Sequence, residues 1–196
     1  MNKNFLIFLT CLFVYPLPAL AHSFTGRVGF YDGMSHPVLG LDHFLAMVSV
    51  GIVSAQIGGK AIWTVPATFV SIMTIGGLFG FFLIIYEFFF VEIGIVFSVI
   101  LLGFAISIDK KIPTKIIIFF VGFFGFFHGT AHGIEVPAAA NPLFFLLGFI
   151  CGTTALHLFG VAIGYTLTKT AISSIILRLT GISFAIYGIY LLTQIF

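Results

Sequence analysis

The chain has 196 residues, of which 60% are hydrophobic and only 7% are charged. Soluble domains carry about 25% charged residues, so eight basic and six acidic side chains cannot cover a soluble surface, and the composition places the chain in lipid. A formal net charge of +2 on scattered basic residues excludes nucleic-acid binding.

The first 21 residues have the three parts of a secretory signal peptide. Lys3 supplies the basic start, residues 5–14 form an apolar run too short to span a bilayer, and Ala19-Leu20-Ala21 matches a cleavage site. Cleavage there leaves His22 as the mature N-terminus on the outer side of the membrane. The alternative is an uncleaved anchor helix, which the two prolines after the apolar run disfavour.

Six apolar stretches follow, and each can cross a bilayer because a crossing takes about 20 residues. They cover residues 38–57, 61–85, 88–108, 116–134, 142–168 and 170–195. We therefore predict an all-α membrane protein, in which residues 22–196 form one compact bundle of about six transmembrane helices. Glycines at every fourth residue predict close helix packing, and they are Gly125, Gly129 and Gly133, Gly148 and Gly152, and Gly160 and Gly164.

Charges between the spans predict the orientation of the bundle. With the mature N-terminus outside, the loops on the inner side hold Lys60, Lys110, Lys111, Lys115 and Lys169. The outer side has one basic residue and three acidic ones, namely Arg27, Asp32, Glu87 and Glu135. This distribution agrees with the positive-inside rule, and it places the C-terminus outside as well.

Ionisable side chains at membrane depth are candidates for a functional site, because they are costly unless they face a cavity or a partner. The first span opens with the sequence HPVLGLDHFLAM, residues 36–47. Helical spacing predicts one shared face for His36, Gly40, His43 and Met47. Asp42 lies about 100° away, close enough to line the same cavity or to orient a ligating histidine.

A second group ends the fourth span, where His128, His132 and Glu135 share a helix face. The predicted topology brings this group to the same outer depth as the first one, and Glu92 at the start of the third span can join them. His157 lies about 20 Å from the outer end of the fifth span and is a candidate for a second site, closer to the inner side.

Imidazoles combined with carboxylates suit nickel, cobalt, zinc and copper, whereas magnesium and calcium prefer oxygen ligands alone. The two groups together predict a transition-metal site. A purely structural polar network is the alternative.

Two motifs resemble those of the HupE/UreJ family of small bacterial membrane proteins: HPVLGLDHFLAM and, at residues 127–135, FHGTAHGIE. The resemblance covers the whole chain. It implies a nickel or cobalt permease of the bacterial inner membrane that serves hydrogenase or urease assembly. The matching positions, which the resemblance implies are metal-binding, are His36, Asp42, His43, His128, His132 and Glu135.

This interpretation predicts a transporter rather than an enzyme, with Ni²⁺ or Co²⁺ as cargo and no permanent cofactor. The ion is captured by His22, Asp32 or loop carboxylates, enters between the first and fourth spans, and moves inward past Met47 and His157. No nucleotide-binding motif of the GxxxxGK[ST] type occurs, so the ion gradient or the membrane potential would drive transport. The partners are the metal ion and the bilayer, and a homo-oligomer is compatible with this interpretation.

Three other classes remain open on the sequence alone. A haem-bearing electron-transfer protein also needs histidines on transmembrane helices. An intramembrane metal hydrolase needs an open metal position and a general base, although no HExxH motif is present. A metal-sensing or assembly-partner protein would bind the ion with the same residues but would not transport it.

Overall fold

The structure is a computed structural model that describes residues 29–82, 89–108, 112–136 and 140–196. Within these ranges the chain forms seven α-helices and no strand. They are α1 (Phe30–Leu39), α2 (Leu41–Ile57), α3 (Ala61–Phe82), α4 (Phe89–Ser107), α5 (Thr114–Ile134), α6 (Pro142–Leu167) and α7 (Ala171–Ile195). The predicted signal peptide lies outside the described residues, as do His22, Arg27, Glu87, Lys110 and Lys111.

Five helices, α3 to α7, are long and apolar enough to cross a membrane. The pair α1 and α2 passes the same test as one span bent by 86°. The predicted fold class, an all-α membrane protein with about six spans, is therefore confirmed.

The first span begins earlier than the sequence predicts. The backbone N–H of Gly29 donates to the Asp32 carboxylate over 3.0 Å, which satisfies one polar group at the helix start and places an anion near the positive end of the helix dipole. The helix therefore starts at Phe30. Pro37 lies in its last turn and not at its start.

The same span is broken at Gly40, which has extended backbone angles (φ −89°, ψ 118°), ends α1 and precedes α2. The 86° bend means that His36 lies on α1 whereas His43 and Met47 lie on α2. The prediction of one shared helix face for these residues is therefore wrong. The break instead forms an elbow, with one histidine on each arm.

Glycines allow the helices to approach closely, as the four-residue repeats predict. A Cβ atom on Gly129 or Gly133 of α5 would collide with the backbone of α3, at Met73 and Gly77 respectively. Glycines of α6 contact α1 and α2 in the same way, with Gly160 against the carbonyl of Val48. These contacts hold α5 against α3 and hold α6 against both arms of the elbow.

Candidate metal centre

A polar cavity of about 570 Å³ opens at the elbow, on the side of the bundle where α5 and α7 end and α4 begins. Its ionisable lining residues are His36, Asp42, His43, Glu92 and Glu135. Glu92, predicted from topology to lie near the two motifs, is therefore part of the same cavity. The cavity offers cation ligands from four helical segments within one concave surface.

The outermost ligand group joins α1 to the end of α5. Nε2 of His36 lies 3.1 Å from Oε2 of Glu135 and forms a hydrogen bond with it. Nδ1 of His132 lies 3.3 Å from the same oxygen, within ion-pair distance but outside hydrogen-bond geometry. One donor atom from each residue lies within 4.8 Å of the other two. This spacing is compact enough for all three to ligate one metal ion.

Glu135 follows the last residue of α5, and its carboxylate is one third exposed to the cavity. Burial raises the pKa of this carboxyl, but the contacts with His132 and His36 lower it more, so the net pKa lies below the usual value. The group is therefore ionised at neutral pH. Its negative charge favours a cation at the mouth of the site.

Asp42 and His43 form a pair at the start of α2. Nδ1 of His43 lies 2.9 Å from Oδ1 of Asp42. Because an ionised carboxylate only accepts hydrogen bonds, this contact places the proton on Nδ1 and leaves a lone pair on Nε2. That second nitrogen is buried and has no hydrogen-bond partner among the described residues. A carboxylate that orients a histidine in this way is typical of metal sites.

The imidazole of His128 is oriented by a different hydrogen-bond partner. Its Nδ1 donates to the backbone carbonyl of Phe124, one turn earlier on α5, over 2.9 Å. The other nitrogen, Nε2, is fully buried and has no partner in the described part of the chain. His128 therefore also presents a lone pair from Nε2.

The four imidazoles of the motifs form one continuous cluster. Ring centroids of His43 lie 4.5 Å from His132 and 5.3 Å from His128, and His36 lies 4.7 Å from His132. Leaving a buried polar atom without a partner costs about 1–3 kcal/mol. The part of the chain that the structure describes brings one group of donor atoms close enough together for a single ion, that of His36, His132 and Glu135, and the unpaired nitrogens of His43 and His128 belong to rings that contact this group or each other.

Three other predicted pathway residues lie outside the lining of the cavity. Met47 is 1% exposed and packs in the hydrophobic core with Leu45 and Val50, outside the residues that line the cavity. Asp32, predicted to help capture the ion, caps the start of α1. His157 is fully buried on α6.

Sequence reasoning missed three neighbours of the site. Gln194, near the end of α7, lines the cavity, and an amide within an apolar span is a signal that could reveal it. Phe149 contacts His132 with ring centroids 4.2 Å apart, and Phe69 contacts His128 at 5.3 Å. No sequence signal separates these two from the other phenylalanines, which number 27 in the whole chain.

The chain matches known proteins over nearly its full length. The family model described as HupE / UreJ protein matches residues 9–191. Protein HupE of Rhizobium leguminosarum bv. viciae is 37% identical over 185 residues, which cover 93% of this chain and 95% of that protein. No solved structure matches the chain. The two motifs that form the cavity thus belong to a recognised sequence family, and the chain is a multi-pass membrane protein of the HupE/UreJ family.

Proposed function

We propose that the chain is a permease that carries a divalent transition-metal ion, nickel or cobalt, from the outer side of the membrane to the cytoplasm. The observation that carries the proposal is the set of buried, unpartnered Nε2 atoms on His43, His128 and His132 below a carboxylate-lined cavity. Membership of the HupE/UreJ family supports an accessory or metal-transport role. It also supports a link to the assembly of hydrogenase or urease.

The ligand types favour a borderline transition metal over calcium or magnesium. Imidazole nitrogens predominate in the cluster, and carboxylates contribute oxygen at its edge. Nickel, cobalt, copper and zinc accept imidazole readily, whereas the hard cations prefer oxygen ligands.

The arrangement also favours transport over permanent storage. A transport site has to bind an ion strongly enough to admit it and weakly enough to release it. Here the ligands lie at increasing depth, from Glu92 and Glu135 in the open cavity to the fully buried His128. The carboxylates would replace part of the hydration shell, and the imidazoles would then take over the ion.

The membrane potential is sufficient to drive inward movement. A divalent cation gains about 4.6 kcal/mol per 100 mV when it moves to a negative interior, which is twice the value for a single charge. Facilitated diffusion along this gradient needs no nucleotide site on the chain.

The proposal is tested by uptake of radioactive nickel and cobalt into proteoliposomes with an imposed inside-negative potential. We compare the wild type with His43→Ala and His128→Ala, and we use Ser35→Ala as the control. Among the described residues, the Ser35 hydroxyl donates to two carbonyls of its own helix, those of Tyr31 and Asp32. Uptake should be lost in both histidine variants and retained in the control.

Two results would contradict the proposal in different ways. Unchanged uptake in both histidine variants would show that the cluster is not the transport site. Absence of uptake by the wild type, with nickel binding intact, would instead favour a metal sensor or an assembly partner.

A further inference from the structure

His157 is a buried imidazole without any hydrogen-bond partner among the described residues. It lies on α6, is 0% exposed, and neither Nδ1 nor Nε2 has a partner there. Buried polar atoms are nearly always satisfied in proteins, and each exception calls for a physical reason. The unpaired nitrogens of His43 and His128 are assigned above to the proposed transport function, whereas both nitrogens of His157 still need such a reason.

The position of His157 continues the line of the cluster inward. Its ring contacts Phe69 of α3 with centroids 5.1 Å apart, and the same phenylalanine contacts His128 at 5.3 Å. His157 follows Phe149 by eight residues on α6, which corresponds to about 12 Å along the helix axis. Because Phe149 contacts His132, His157 lies about that much farther along α6 than the level of His132.

Another unpartnered polar atom lies close to His157 along the chain. Thr153 precedes it by one helical turn on α6, so both side chains lie on the same face of that helix, and its hydroxyl is fully buried without a partner in the described residues. On α2, a Cβ atom at Gly51 would collide with the His157 carbonyl, so α2 packs closely against this part of α6. This face of α6 thus carries one imidazole and one hydroxyl group without partners among the described residues.

We propose that His157 is an inner binding station for a divalent transition-metal ion, with the Thr153 hydroxyl as a supporting oxygen ligand. The proposal rests on the proposed transport function. The ion leaves the lone pair of His128, passes beside the Phe69 ring, and is taken up by a lone pair of His157. A single imidazole with a weak hydroxyl ligand holds the ion less firmly than the outer cluster, which favours release toward the inner side.

A packing role for His157 makes the opposite prediction. Leucine has a similar size and no polar atoms, so His157→Leu removes two unsatisfied nitrogens from an apolar environment. If His157 only fills space, this variant should fold at least as well as the wild type and transport equally well. If His157 binds the ion, the variant should fold at least as well and transport poorly.

The experiment measures three quantities on wild type and His157→Leu: the melting temperature in detergent, the nickel ions bound per chain at saturation, and the initial nickel uptake by proteoliposomes. We expect an equal or higher melting temperature, one nickel ion fewer per chain, and uptake reduced at least about tenfold. Cys151→Ala is the matched control, because Cys151 lies on the same helix and is exposed. It should match the wild type in all three.

Uptake by a folded His157→Leu variant equal to that of the wild type overturns the inner station. If the leucine variant melts at a lower temperature, His157→Gln replaces it, and the same criterion applies to its uptake. If the wild type itself transports no nickel, the proposed function fails, and the number of bound ions alone decides the inner site. An equal count in wild type and variant then overturns it.

Discussion

Replacing Gly40 by alanine should weaken metal binding without disturbing the fold. A Cβ atom on Gly40 would stand 2.9 Å from Oδ1 of Asp42 and 3.0 Å from Nδ1 of His43, whereas ordinary contacts begin at 3.4 Å. The Asp42–His43 pair therefore has to move by about half an ångström. The backbone at Gly40 is extended and suits alanine equally well, so the helix elbow itself need not change.

The displaced pair should hold the His43 ring in a less favourable orientation. Changes to the partner that orients a ligating histidine typically cost 10- to 100-fold in metal affinity. We expect a loss of this size for Gly40→Ala, which corresponds to about 1.4–2.7 kcal/mol.

The assay is equilibrium competition for nickel between purified protein in detergent and a chelator of known affinity, together with the melting temperature without metal. Gly122→Ala is the matched control on α5. Its Cβ would meet only Thr68 Cγ2 at 3.7 Å and Ile72 Cγ1 at 3.8 Å, which are ordinary contacts.

Wild-type nickel affinity in Gly40→Ala would refute the idea that the space beside Gly40 keeps the Asp42–His43 pair in its binding geometry. A large drop in the melting temperature of Gly40→Ala would refute the expectation that this substitution leaves the fold intact. Equal loss of affinity in Gly122→Ala would show that the assay responds to any added methyl group.

Three further outcomes are expected. Glu135→Gln removes the charge that faces His36 and His132, so competition should show about 10- to 100-fold weaker nickel binding; unchanged affinity would argue against this ligand. Nickel binding should weaken as pH falls, because imidazoles must be deprotonated to bind metal, whereas the contribution of Glu135 should persist because the pKa of this carboxyl lies below its usual value. Tighter nickel binding at lower pH in the competition assay would contradict imidazole ligation. Gly129→Ala presses on the carbonyl of Met73 and should lower the melting temperature, at a cost of about 1–3 kcal/mol, whereas an unchanged value would contradict close α3–α5 packing.

Much of the architecture follows from local properties of the chain. The length of each apolar stretch determines that it can cross a bilayer, and this length can be counted along the sequence. Glycine repeats such as Gly125, Gly129 and Gly133 predict close packing because small residues let helix backbones approach. The ligand types of the candidate site are also local information, since imidazole and carboxylate chemistry does not depend on the fold.

Only the tertiary structure decided how these residues meet. Periodicity predicted one straight helix through Gly40, but packing of both arms against α6 accompanies an 86° bend there. The bend directs His36 to Glu135 and His43 to His132, two contacts between residues about 90 or more positions apart in the chain. Which imidazole nitrogen keeps its lone pair likewise depends on partners such as the Phe124 carbonyl. Spacing along one helix determines which side chains share its face, whereas contacts between helices depend on their relative directions and depths, which arise only when the whole bundle packs.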